Sequence, residues 1–319
     1  GYHIREAGST AAQELAFTLN NGFAYIEECL ERGLKIDDFA HRLSFFFNAH
    51  MDFFEEIAKY RAARRIWANR LKDKYGAKNE SSLKLKFHTQ TAGCSLTAQQ
   101  PENNIVRTAF EAMSAVLGGT NSLHTNSLDE TLALPSEKAA KIALRTQQIL
   151  AFETGIPNVA DPLGGSWYIE ELTDKLEKHA IRYFEEIQEM GGTVQAIEDG
   201  YFQKKIAESA SIYQESVDSK ERIIVGVNDF VEEDEELDIE ILKISRDAQD
   251  TQEDKIKTLR KSRDEKTLQE KMKKLSDACK KDLNLVPFLI EVAEQGGTVG
   301  EIVEVMKKVY GEWEESFGI

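Results

Sequence analysis

The chain has 319 residues, 41% of them hydrophobic and 30% charged, enough for one large domain, or one with a smaller companion. Forty basic against 56 acidic side chains leave a formal charge of −16. That balance disfavours a nucleic-acid backbone or an anionic membrane as the main partner, although a local basic pocket can still hold an anion. No run approaches the roughly 20 apolar residues of a membrane span, and no charged-then-apolar leader opens the sequence. Cys29, Cys94 and Cys279 are too few and too far apart for a disulfide framework or a zinc signature, so a reducing, cytoplasmic setting is expected.

The chain opens on Gly1-Tyr2-His3-Ile4-Arg5-Glu6, which places His3 where a preceding strand would end. Leu15, Leu19, Phe23, Ile26 and Leu30 then recur at helical spacing, with Ser9 or Thr10 as cap and Gly33 as stop. Leu43 to Phe47 reads as a short strand, followed by a helix with Phe54, Ile57, Ala58, Ile66 and Trp67 inward. Leu83 to Phe87 alternates with period two and predicts another strand. A polar loop leads to a helix opened by Pro101 and closed by Gly118-Gly119, with Ile105, Ala109, Met113 and Val116 inward. A short segment at 121–125 and a loop to Pro135 precede a helix capped by Ser136, with Ala140, Ala143, Leu144 and Leu150 inward.

Strand, loop and helix thus repeat at about 40 residues, which points to an α/β parallel sheet or barrel. Three strands and the tip of a fourth cannot close an eight-stranded barrel of typically ~250 residues. The expectation is therefore the second half of a (β/α)8 barrel over 1–159, then a mostly helical region over 160–319. Helices are predicted near 171–190, 202–217, 246–274, 283–294 and 298–311, with a strand-like island at Ile223–Val227. A Gly-Gly-Thr-Val turn occurs at Gly191 and again at Gly296, each with a threonine available as a helix cap. The acidic run Glu232 to Glu236 and the mixed charges of Asp247 to Glu270 read as a solvated loop and a solvated helix.

In a parallel βα barrel the reactive side chains collect at the carboxyl ends of the strands. That rule selects His3 and Glu6, Asn48 and His50, His88 and Gln90, and His124, Asn126, Asp129 and Glu130. A single histidine is usually structural, but histidines at successive strand ends point to one shared cleft. There is no H-E-x-x-H metal spacing, no G-x-S-x-G elbow, and no P-loop or dinucleotide fingerprint around Gly118-Gly119. The rim instead offers uncharged hydrogen-bonding groups (Thr89, Gln90, Thr91, Thr125, Asn126), a mix suited to holding a large polar ligand and a carbonyl.

Several strings, in order, resemble the methylmalonyl-CoA mutase family: Gly1–Gly8, His41-Arg42-Leu43-Ser44-Phe45-Phe46, His88-Thr89-Gln90-Thr91-Ala92-Gly93, Asn103–Thr108, Ser122–Glu130 and Ala160–Ser166. The likeness runs through nearly the whole chain and is to the large subunit of the two-subunit, archaeal-type members. It implies part of an adenosylcobalamin-dependent isomerase that rearranges an acyl-CoA carbon skeleton by radical chemistry, with (R)-methylmalonyl-CoA to succinyl-CoA as the expected reaction. Isobutyryl-, ethylmalonyl- and 2-hydroxyisobutyryl-CoA mutases are the alternatives, and a non-catalytic half-barrel interaction module is another. By motif, His3, with Tyr2 beside it, resembles the catalytic residue that holds the substrate thioester carbonyl. Arg42, Ser44 and His88 resemble acyl-CoA contacts, and Glu6, Gln90, Gly93, Asn126 and Glu130 resemble residues facing the cofactor.

The sequence departs from the family where Arg5 replaces a frequent glutamine, Cys94 a tryptophan over the corrin, Thr131 an alanine and Asn121 a glutamine. The D-x-H-x-x-G motif that supplies the cobalt-ligating histidine is absent, and so is the half-barrel that reads the acyl group. The resemblance therefore implies a hetero-oligomer. Its partners would be a polypeptide carrying the first half of the barrel and a cobalamin-binding small subunit, without which the chain is expected to be inactive, with a GTPase chaperone of the mutase as a further partner. Neither a protein metal site nor a nucleic-acid or membrane partner is expected.

Overall fold

The computed structural model describes residues 1–232, 239, 241–243 and 245–314. They form two compact units, residues 1–242 and 243–319. The boundary expected after residue 159 falls inside the first unit.

The first unit is α/β, a partial barrel. It opens with a short helix, α1 (Tyr2–Glu6), where the sequence suggested a strand tip. Helix α2 (Ala11–Glu31) follows, begun by a Thr10–Gln13 capping box and ended before Gly33, whose φ of +85° suits glycine. Its stripe of Leu15, Leu19, Phe23 and Ile26 is fully buried, as the periodicity predicts. A turn of helix, α3 (Ile36–Phe39), leads to β1 (Phe45–Ala49), then α4 (Phe53–Asp73) with Asp52 as cap. The predicted strand at 83–87 is displaced. Asn79 accepts from Ser81 N (3.0 Å) and starts a helical turn, α5 (Glu80–Leu83), so β2 runs from Phe87 to Thr91. Then come α6 (Asn103–Leu117), β3 (Ser122–His124), α7 (Glu137–Phe152), α8 (Trp167–Glu189), α9 (Thr193–Glu198) and α10 (Tyr201–Asp218).

All three strands are parallel, in the order β1-β2-β3. The register aligns Phe46, His88 and Ser122 in one row and Asn48, Gln90 and His124 in the next. Because side chains alternate along a strand, both rows lie on one face, which is polar. The opposite face carries Phe47, Ala49, Phe87, Thr89 and Thr91, all buried. Tyr60 of α4 stacks on Phe87 with ring centroids 5.2 Å apart. Farther out, Phe23 stacks on Trp67 at 5.8 Å and meets Phe184 of α8 edge-on at 5.6 Å. Helix α8, expected in the C-terminal region, thus completes the core of the first unit with α2 and α4. Each such fully buried large side chain contributes roughly 1.5–3 kcal/mol.

Several inward faces differ from expectation. Phe54, Ala140 and Leu144 point outward; α7 buries Ala143 and Leu150 as expected, with Ala139 and Thr146 in place of Ala140 and Leu144. In α6 the polar side is the buried one (Asn104, Arg107, Thr108, Glu111, Ser114), while Ile105, Ala109, Met113 and Val116 are only half-buried. The island at Ile223–Val227 is not a strand but a turn with one bridge, Val225 to Asp229. Gly192, not Thr193, caps α9, and Thr193 Oγ1 accepts instead from Asn20 Nδ2 (2.8 Å).

The second unit packs α12 (Glu265–Lys280) against α13 (Val286–Glu294) and α14 (Val299–Tyr310) around Leu268, Met272, Leu275, Cys279 and Val292. Helix α11 (Arg246–Ser262) precedes them, so the single helix expected over 246–274 is two, separated where Asp264 caps α12. Thr298 and Glu301 form the expected cap of α14, and Arg263 grips Glu301 through both Nη atoms (2.8 and 2.6 Å). Residues 233–236 of the acidic run lie outside the described residues. Among the described residues no helix is long and apolar enough to cross a membrane.

Candidate functional site

The carboxyl ends of β1, β2 and β3 and the helix α1 bring a polar cluster together. Gln90 sits on the polar face of β2 and donates through Nε2 to Tyr2 Oη and to Asn126 Oδ1, both at 2.8 Å. Asn126, in the loop after β3, is fixed by its own N–H on Thr91 Oγ1 (2.9 Å). Its buried Nδ2 has no hydrogen-bond partner among the described residues. Glu6, at the end of α1, accepts from Asn48 Nδ2 (2.8 Å), Gly93 N (2.8 Å) and Cys94 N (2.9 Å). One carboxylate thereby ties α1 to β1 and to the loop after β2. A Cβ on Gly93 would stand 3.2 Å from Asn126 Nδ2 and 3.4 Å from Glu6, so glycine keeps this rim low.

An aromatic wall runs along the same face. The Tyr2 ring stacks on Phe46 (4.9 Å), His88 meets Phe46 edge-on (4.9 Å), and His3 meets Tyr2 edge-on (5.8 Å). His88 is oriented by Ser122 Oγ, 2.7 Å from its Nδ1. His3, Arg42 and Ser44 are exposed, and no side-chain hydrogen bond among the described residues ties them to the cluster. Glu130 is exposed beside it.

The electrostatics favour neutral groups. Burial, then the Glu6 and Glu130 carboxylates, push the Tyr2 phenol above its ordinary range, so it remains a proton donor or acceptor without charge. Burial, with Glu6 and Asp129 nearby, raises the Glu130 carboxyl. Desolvation lowers His88, and also His124, which His88 lowers further, so both favour the neutral imidazole. Such an array can orient a large polar ligand and share hydrogen bonds with it, and it imposes little net charge.

Beneath β1 lies a support that the sequence conceals. Glu14, Glu56 and Lys59 are fully buried, with Lys59 Nζ paired to both carboxylates and donating to Asn48 O (2.8 Å). Asn48 N donates to Glu14 Oε1 (2.7 Å) and Tyr60 Oη to Asn48 O (2.5 Å). Arg5 adds a second cation 3.7 Å from Glu56, so two acids face two bases. Desolvation works against both acids. It prevails at Glu14, whose carboxyl is raised, whereas Lys59 and Arg5 outweigh it at Glu56, which is lowered. Asn48 is thus locked at the end of β1, holding its amide on Glu6.

Of the other strand-end residues, Asp129 is structural: it is buried, accepting from Ser127 Oγ (2.6 Å) and Ser136 N (2.8 Å). His50 turns into a different cavity. Among the described residues no three of His, Cys, Asp or Glu converge as metal ligands.

The family model for methylmalonyl-CoA mutase matches residues 1–312. The chain belongs to the methylmalonyl-CoA mutase family. It is 46% identical to the 2-hydroxyisobutanoyl-CoA mutase large subunit of Aquincola tertiaricarbonis over 99% of its own length and 56% of that relative's. Against the methylmalonyl-CoA mutase of Rhizobium meliloti the identity is 47%, over 98% of this chain and 44% of the relative. Against the mitochondrial methylmalonyl-CoA mutase of Homo sapiens it is 46%, over 98% and 42%. The chain spans about half the length of the mutase relatives it matches.

Proposed function

We propose that this chain supplies the carboxyl-terminal half of the substrate barrel of an adenosylcobalamin-dependent acyl-CoA mutase. The single observation that carries the reading is the hydrogen-bonded circuit Tyr2–Gln90–Asn126, with Glu6 on the Gly93–Cys94 backbone, at the carboxyl ends of three parallel strands. The residues fit the cofactor. Gly93 leaves a low rim for a flat ring, and the unpartnered Nδ2 of Asn126 offers a buried donor to a nucleoside or an amide. Glu6, Gln90, Gly93, Asn126 and Glu130 would hold adenosylcobalamin, which supplies radical chemistry when bound.

The chain's own residues position and shield. His3 and Tyr2 hold the thioester carbonyl by hydrogen bonds, and His88, Arg42 and Ser44 contact the acyl-CoA. The Tyr2–Phe46–His88 wall excludes water along its path. The first half of the barrel and the cobalamin-binding polypeptide complete the site, and the chain alone is inactive. (R)-Methylmalonyl-CoA is the proposed substrate. The similarity to a 2-hydroxyisobutanoyl-CoA mutase large subunit supports 2-hydroxyisobutyryl-CoA as the second reading.

The test combines this chain with polypeptides carrying the first half-barrel and the cobalamin domain, then assays isomerisation of both acyl-CoA esters. Turnover is expected, and His3→Ala should lower it by about 10²–10³-fold, the usual loss for one carbonyl-stabilising donor, with assembly intact. Assembly without turnover in every combination would leave an interaction module and overturn the reading.

A further inference from the structure

A second cavity, of about 330 Å³, opens between the end of β1, helix α6 and the turn at 222–225, and shares no residue with the Tyr2–Gln90–Asn126 cluster. Its charged lining is of one sign: Arg107 and Arg222, with no aspartate or glutamate. In a chain of net charge −16 that is a local exception. Arg107 is buried and spends three N–H groups on neutral oxygens: Thr97 Oγ1 (2.9 Å), Asn104 Oδ1 (2.8 Å) and Val225 O (2.8 Å). Arg222 lies over the Tyr213 ring at 5.0 Å. Neither guanidinium forms an ion pair with a described carboxylate.

His50 supplies the independent observation. It is 9% exposed and lines the cavity. Met51 N donates to its Nδ1 (2.8 Å), so Nδ1 is the acceptor and the ring's proton sits on Nε2. That N–H has no acceptor among the described residues. Desolvation, assisted by Arg5, lowers the imidazole to about 3, so the ring stays neutral and keeps this tautomer. Arg107, Arg222 and His50 Nε2 thus bring donors to the cavity, while Val106, Phe110, Ile223 and Val225 form an exposed apolar wall.

We propose that this cavity binds a small amphipathic oxyanion, its carboxylate or phosphate on Arg107, Arg222 and His50 Nε2 and its hydrocarbon part on Val106, Phe110 and Ile223. Guanidinium pairs are suited to planar or tetrahedral oxyanions, and the volume admits a head with a short chain. The site is separate from the mutase reading and is tested without acyl-CoA or cobalamin.

Calorimetric titration of the full chain with hexanoate, hexyl phosphate, inorganic phosphate and hexylamine checks it. Hexanoate and hexyl phosphate are expected to bind at one site, their ratio telling which oxyanion is preferred. Hexylamine should not bind, and inorganic phosphate should bind more weakly than its hexyl ester. Arg222 is exposed and makes no side-chain hydrogen bond to a described residue, so Arg222→Gln leaves the fold intact and should weaken both anions by about tenfold. Phe110→Ser should weaken hexyl phosphate and spare inorganic phosphate. Hexylamine binding as well as hexanoate, or anion binding unchanged in Arg222→Gln, would overturn the proposal, as would no heat with any of the four probes.

Discussion

Glu111 of α6 is 1% exposed, and neither carboxyl oxygen receives a hydrogen bond from the described residues. Two donors beside it, Ser95 Oγ and Ala92 N, ease the shift but direct their hydrogen bonds to Ala92 O and Ala49 O (2.8 Å each). Desolvation therefore carries the carboxyl well above its ordinary 4.5, so the fold favours the neutral acid. The unfolded chain releases that proton, so stability falls as pH rises from about 4.5 toward the raised value. Glu111→Gln imitates the neutral acid without this linkage. It should stabilise the chain by about 1–3 kcal/mol at pH 7.5, a gain that vanishes near pH 4 in paired denaturant titrations. Cys94 makes a similar point in the opposite setting. Its side chain is exposed, yet the surrounding protein and the Glu6 carboxylate push the thiol up to about 12. Iodoacetamide at pH 8 should alkylate it at least about tenfold more slowly than a free cysteine, because only thiolate reacts, and Glu6→Gln should speed the reaction.

At the level of elements, what could be read from the sequence was what obeys a local period. The α2 stripe follows from spacing, and its cap is Thr10 of the two candidates, while the apolar run at 43–47 marks β1 two residues early, at Phe45–Ala49. The 83–87 strand misled because Leu85 and Phe87 do alternate inward, while the Asn79 side chain turns the residues just before them into helix. Helix α6 inverted the expectation for a non-local reason. Asn104 Oδ1 accepts from Thr97 N (3.0 Å), and its Nδ2 donates to Thr97 O (2.8 Å) and Leu128 O (2.9 Å). Those partners lie on the loops after β2 and β3, so the start of this polar side is buried with its amide paired, while Thr108 and Glu111 farther along carry oxygens with no partner among the described residues. The same amide fixes the distance between the Gly93 and Asn126 loops. Asn104→Ala should cost about 1–3 kcal/mol in thermal unfolding and increase amide exchange in both loops. The strand-end rule found Glu6, Gln90 and Asn126 because barrels place side chains there, but it could not foresee that α1, not a strand tip, presents Tyr2 and Glu6. Glu14, Glu56 and Lys59 were invisible for a simpler reason: charged residues on a helix read as a solvated face until another element covers them.

Across the whole molecule, the buried charges explain how a partial barrel keeps its rim in shape. The sheet has three strands, and β1 lies at its edge among the described residues. An edge strand presents unpaired backbone groups that invite pairing. At Asn48 those groups are already engaged, the N–H by Glu14 and the carbonyl by Lys59 and Tyr60, so a further strand joining β1 must end before Asn48. Side chains there do the work of a ladder and leave the Asn48 amide free for Glu6. Removing Lys59 would strand the Glu14 carboxylate and leave Glu56 with Arg5 alone. Lys59→Met should therefore destabilise the first unit by about 3–5 kcal/mol, whereas the triple replacement Glu14→Leu, Glu56→Leu, Lys59→Met should recover part of that loss, since a packed apolar cluster avoids the desolvation of three charges and leaves only Arg5 without its acid. The two variants should nonetheless share one defect. Without Lys59 the Asn48 carbonyl keeps only Tyr60, and in the triple variant the Asn48 N–H loses Glu14 as well, so the anchor at the end of β1 loosens and Asn48 releases Glu6 and the Gly93–Cys94 loop. Hydrogen exchange at Gly93 and Cys94 N–H reads this directly: fast exchange in a triple variant of partly restored stability would assign the cluster to shaping the rim, and slow exchange would reduce it to ordinary core.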